Sequence, residues 1–126
     1  LMRRDDLPLL FACVEHQAWV KAIESHLRGE RDTPPELDPA QCHFGGWLAK
    51  KGMALHGAHA SFAMVDTLHQ HIHTLGSELC CLHAQGQGAH ALERVGELQA
   101  LVQALLEQLQ PWTHRQRPKQ RRKIPE

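Results

Sequence analysis

The chain has 126 residues, 42% of them hydrophobic, and 14 basic against 14 acidic residues. That is one domain's length with enough apolar content for a core, which excludes a disordered chain. No apolar run reaches the ~18 residues of a membrane span, residues 1–6 hold no signal-peptide core, and scarce aromatics without any Tyr disfavour an all-β sandwich.

The first predicted helix starts after Asp5 and Asp6, with Pro8 in its opening turn, and stops at Gly29. Cys13, His16, Val20, Ile23 and Leu27 stand 3, 4, 3 and 4 residues apart, so His16 lies on an apolar stripe. A polar loop with Pro34-Pro35 follows. Asp38-Pro39-Ala40-Gln41 combines a capping Asp, a first-turn Pro and a Gln three residues after the cap, and so predicts a short helix ending near Gly52. Its N-terminus would lie close to Cys42, where the dipole favours a thiolate.

The third predicted helix runs from about Ser61 to Gln85. Phe62, Val65, His69, Ile72, Gly76 and Leu79 keep the 3, 4 spacing, and His73 sits one turn beyond His69. Gly86-Gln87-Gly88 makes the clearest turn. The fourth helix, from about Ala89 to Gln110, carries Val95, Leu98, Val102, Leu105 and Leu109 and is expected to stop before Pro111. The fold class is therefore all-α: an antiparallel four-helix bundle with a short inserted helix carrying Cys42.

The neutral total conceals a division. Residues 113–126 carry six basic residues (Arg115, Arg117, Lys119, Arg121, Arg122, Lys123) and Glu126, a balance of +5 that leaves −5 on the rest. We read residues 1–112 as the bundle and 113–126 as a disordered basic tail. Such a tail suits nucleic acid or anionic lipid, but the acidic body offers no reading helix. Four cysteines without a signal peptide point to a reducing compartment, where thiols bind metal or pack as small hydrophobes. A cytoplasmic protein is expected.

The chemistry concentrates in three motifs. His16 opens H-x-x-W with Trp19, Cys42 opens C-x-F-G-x-W through Trp47, and His69 and His73 form H-x-x-x-H. Two imidazoles one helical turn apart can share a metal, a weak signal alone in a chain with 11 His. The ordinary alternative is a core His bonded to a carbonyl. Burial argues for ligation, because His16 and His69 fall where an unpaired polar group costs free energy. One thiolate and three imidazoles would close a tetrahedral zinc site, leaving no open position for water and disfavouring an enzyme. Backbone carbonyls, Glu15 or Asp66 are candidates to hold the outer ring nitrogens. Trp19 and Trp47 should wall the site, His71 should point away, His43 is a weak competitor, and His56 and His59 are expected in a solvated loop.

These motifs in this order, including Leu68-His69-Gln70-His71-Ile72-His73, resemble the chemoreceptor zinc-binding (CZB) domain over about residues 7–110. The resemblance implies a bacterial cytoplasmic four-helix bundle that homodimerises and holds Zn2+ on His16, Cys42, His69 and His73. It implies control of a signalling partner of the chemotaxis or cyclic-di-GMP type, a chemoreceptor or a diguanylate cyclase. It also implies an alternative, sensing of hypochlorous acid through oxidation of zinc-bound Cys42. Gly46 before Trp47 departs from the family pattern, which expects a larger residue there.

Overall fold

A computed structural model describes residues 7–113. All regular structure among them is helical. Helix α1 spans Leu7–Leu27, α2 His43–Trp47, α3 Met53–His56, α4 Phe62–Ala84, α5 Gly88–Glu93 and α6 Val95–Thr113. The expected caps Asp5 and Asp6 and the basic run after Thr113 lie outside the described residues.

The ends of α1 and α4 follow from two glycines. Gly29 and Gly86 take φ of +80° and +83°, a left-handed conformation that costs glycine no side-chain clash. At each, the two residues that leave the helix bond back into its last turn. Gly29 N–H donates to His26 O and Glu30 N–H to Ser25 O; Gly86 N–H donates to His83 O and Gln87 N–H to Leu82 O. Those bonds satisfy carbonyls that a helix end otherwise leaves bare.

The long helices α1, α4 and α6 pack against one another. The predicted stripes meet between them: Val20, Ile23 and Leu27 from α1, Val65, Ile72 and Leu79 from α4, Leu98, Val102 and Leu105 from α6, all buried. Each such side chain contributes about 1.5–3 kcal/mol by leaving water.

Two stretches differ from expectation. The fourth helix is broken at Arg94, whose guanidinium reaches Glu97 and, at 2.7 Å, Glu78 on α4. It also runs past Pro111 to Thr113. The last turn persists because Trp112 is buried and donates its indole N–H to Ser61 Oγ at 2.8 Å. Tertiary packing there outweighs the amide hydrogen that Pro111 lacks.

The segment bearing Cys42 is helical but irregular. A 3-10 turn at Pro39–Gln41, capped by the Asp38 carboxylate on Ala40 N–H, leads to extended Cys42. From there α2, a π-turn at Leu48–Gly52 and α3 follow without a gap. His56 closes the segment fully buried, against the expectation of a solvated loop. His59 is half-exposed and joins a ring stack.

Candidate metal centre

His16 sits on the inner face of α1, where its ring turns back along the helix. Its Nδ1 lies 2.9 Å from the Ala12 carbonyl. A carbonyl only accepts, so Nδ1 carries the proton and Nε2 presents a lone pair. His73 does the same from α4, with Nδ1 donating to Leu37 O at 3.0 Å. His69, one turn earlier, holds Nε2 buried and without a hydrogen-bond partner, as is the Nε2 of His73. The outer acceptors of His16 and His73 are thus backbone carbonyls. Of the other candidates, Glu15 instead pairs with the exposed His43 at 3.5 Å, and Asp66 is exposed.

Cys42 brings the sulfur. It caps α2 in an extended conformation, and its Sγ lies 3.6 Å from His16 Nε2. The ligand atoms of His16, Cys42, His69 and His73 all lie within 4.8 Å of one another. Ligands about 2.3 and 2.1 Å from a tetrahedral zinc stand roughly 3.6 Å apart, which the sulfur–nitrogen pair already matches. The three rings meet nearly edge to face: His16 and His69 at 88°, His16 and His73 at 83°, His69 and His73 at 71°. Rings so disposed do not stack, and each brings a nitrogen into the shared cluster.

The electrostatics fit a cation. Burial, and then the neighbouring His73 and His16, push the His69 pKa down to about 3. Burial also lowers His16 and His73, with the Ala12 and Leu37 carbonyls opposing it. All three are therefore neutral, the form that ligates. Burial raises the Cys42 thiol although the Gly45 and Phe44 amides favour its thiolate; the expected dipole effect is real but outweighed. A divalent ion between these groups would reverse that balance and deprotonate the sulfur. Unfilled, the site leaves buried lone pairs unmatched, at about 1–3 kcal/mol each.

The remaining motif residues build the walls. Phe44 packs on His16 and His69, with centroids 5.6 and 5.1 Å away. A Cβ on Gly45 would overlap the Pro39 carbonyl oxygen and lie 2.9 Å from His69 Cε1, so only glycine lets α2 close on Pro39 and α4. Nothing lies within 4 Å of a Cβ on Gly46, which leaves room for the larger residue the pattern expects. Trp19 covers His73 at 4.6 Å and donates to Glu36 O at 2.7 Å. It fits against α4 because Gly76 has no side chain: a Cβ there would overlap the Trp19 ring. Trp19 and His73 thereby clasp consecutive carbonyls, those of Glu36 and Leu37, and fix the loop beside Cys42. Trp47 lies behind Phe44, with ring centroids 5.7 Å apart.

His71 is exposed, as expected. Sequence reasoning missed the buried packing of His56 with Trp112. The signal was available: Val95, Leu98, Val102, Leu105 and Leu109 continue at the same spacing to Trp112, and Pro111 was read as a stop.

The profile of the chemoreceptor zinc-binding domain matches residues 16–80, a little over half the chain. The protein belongs to this family. The matched stretch opens at His16 and contains Cys42, His69 and His73, so the CZB sequence signature and the converging donors coincide. Zinc is the cofactor of such a domain, and this His3Cys cluster suits it. No curated protein and no solved structure matches the chain.

Proposed function

We propose that this CZB domain is a sensory module whose zinc, held by His16, Cys42, His69 and His73, controls a signalling partner of the chemotaxis or cyclic-di-GMP type. The convergence of three neutral imidazole nitrogens and one sulfur, two of the nitrogens buried without a partner, carries this reading. The ligands come from α1, α4 and the segment between them, so binding ties three parts of the fold together. The four side chains complete a tetrahedral set, which leaves no position for substrate and makes the domain a regulator, not an enzyme. Elemental analysis of protein purified without chelator tests the ligand set. One zinc per chain is expected, and alanine at any of the four residues should remove it. Full retention in a Cys42→Ala, His69→Ala double variant would overturn the assignment.

The short connections between α4, α5 and α6 support an antiparallel bundle. A homodimer would cover the apolar stripe that Leu7, Leu10, Phe11 and Val14 expose on α1. No helix among the described residues is long and apolar enough to cross a membrane, which suits a cytoplasmic setting.

One observation favours a redox reading of the same atoms. A cavity of about 320 Å³ opens over the site and is lined by Cys42, His16 and His73, with Glu15, Glu36 and His43 at its rim. Cys42 is half-buried and so within reach of a small neutral oxidant such as hypochlorous acid. Intact-mass and peptide mapping after mild hypochlorite should find Cys42 oxidised first and zinc released with it.

A further inference from the structure

We propose that a chain of contacting rings carries the occupancy of the metal site to the last turn of α6. The inference rests on the zinc reading above and extends it to a place in the chain remote in sequence from every ligand.

The path is continuous. His69 touches Phe44 at 5.1 Å, Phe44 touches Trp47 at 5.7 Å, Trp47 touches His56 at 5.9 Å, and His56 lies face to face on Trp112 at 4.8 Å and 12°. Beyond it Trp112 is parallel to Phe62 within 3°, and His59 stacks on the same indole at 5.5 Å. Three of these rings, Phe44, His56 and Trp112, are almost wholly enclosed. Displacement of one therefore displaces the next, because close-packed rings have no free volume to absorb it.

The moving part is the stretch from Cys42 to His56. Its first residue is a metal ligand and its last is the ring beneath Trp112. Between them lies the π-turn, where Met53 N–H reaches back to Leu48 O. Such turns are rare within helices and recur at functional sites. Drawing Cys42 toward the three histidines sets the position of α2, which Gly45 already seats closely against Pro39 O and the His69 ring. At the far end, Pro111 removes an amide hydrogen from the closing turn of α6. That turn consequently depends on how Trp112 is seated. Coupling between two places requires an element whose arrangement both of them bias, and this segment is placed to serve.

The test uses the full chain carrying 5-fluorotryptophan, with its three indoles assigned from single Trp→Phe variants. Zinc sulfate is added to chelated protein while 19F spectra and bound metal are recorded together. The Trp112 resonance should move and saturate at the same zinc equivalents as that of Trp47. His56→Leu should keep metal stoichiometry and the Trp47 response but lose the Trp112 response; His56→Phe, which keeps a ring in the stack, should retain both. Bound zinc with a silent Trp112, or a full Trp112 response in His56→Leu, overturns the coupling alone. Failure to bind zinc overturns the site assignment and the coupling with it. Should His56→Leu not fold, amide exchange of the native protein decides: zinc must slow exchange over residues 105–112, and unchanged protection overturns the proposal.

Discussion

Two clusters of histidine rings flank the Cys42–His56 stretch, and they are built differently. At the proposed metal centre, His16, His69 and His73 meet almost perpendicularly, and two of them tie Nδ1 to a backbone carbonyl. At the other end of the Cys42–His56 stretch, His56 and His59 lie flat on Trp112, at 12° and 17°. Burial alone does not distinguish them, since His56 is as enclosed as His16. Orientation does. Perpendicular rings with occupied outer nitrogens aim lone pairs at one point, whereas parallel rings bury π-faces and gain about 0.5–1.5 kcal/mol per contact.

If that distinction holds, removing metal should strike the first group hardest. A ligand at about 1,000 times its Kd stabilises a fold by roughly 4 kcal/mol. For a domain of this size chelation should lower Tm by on the order of 10–20 °C. Calorimetry of native and chelated protein measures it, and His56→Phe should leave the zinc-dependent increment in place. Equal Tm values after verified zinc removal would erase the difference between the clusters.

The metal-free protein sharpens the comparison through pH. The folded pKa of His69 is about 3 and those of His16 and His73 are also lowered, against about 6.5 in an unfolded chain. Below that value the unfolded chain binds protons that the folded site refuses, so stability is complete above pH ~6.5 and falls as pH drops toward 3. Each group held neutral contributes a slope of up to about 1.4 kcal/mol per pH unit. Denaturant titrations of chelated protein from pH 8 to 4 should show this decline, and His69→Leu should flatten it.

Much of the centre was legible because its constraints are local. Helical spacing put His16 and His69 on apolar faces, and of the two motif tryptophans Trp19 covers His73 while Trp47 stands one ring back, behind Phe44. The contacts that finish the site were not legible. Trp19 reaches Glu36, and His73 reaches Leu37, across a loop whose path no periodicity specifies. Pro111 misled for the opposite reason: its local rule is sound, but the buried Trp112 beside it outweighs that rule. His56 lies on no stripe of its own: Trp112 of α6, whose place the α6 spacing does show, stacks on it, and Trp47 and His59 lie beside it.

Gly45→Ala tests how closely α2 must approach α4. The added methyl would overlap the Pro39 carbonyl, which is backbone and cannot swing aside, and would crowd His69. A loss of about 1–3 kcal/mol in stability is expected. Zinc affinity should fall about tenfold or more, since Cys42 and His69 are pushed apart. Gly46→Ala, with open space around it, should change neither. Competition titration with a zinc chelator reads both.

The smallest effect should come from the residue nearest the sulfur in sequence. His43 follows Cys42 directly, yet its side chain is 87% exposed and faces the Glu15 carboxylate at 3.5 Å. An exposed pair of this kind contributes at most about 1 kcal/mol. As the first residue of α2, His43 projects away from the three imidazoles while Cys42, outside the helix, turns toward them. His43→Ala should therefore keep one zinc per chain and an unchanged affinity, with Tm moving by no more than a few degrees. A fall in stoichiometry would mean that His43 swings inward to ligate, displacing one of the three histidines and removing the contrast between converging and stacked rings.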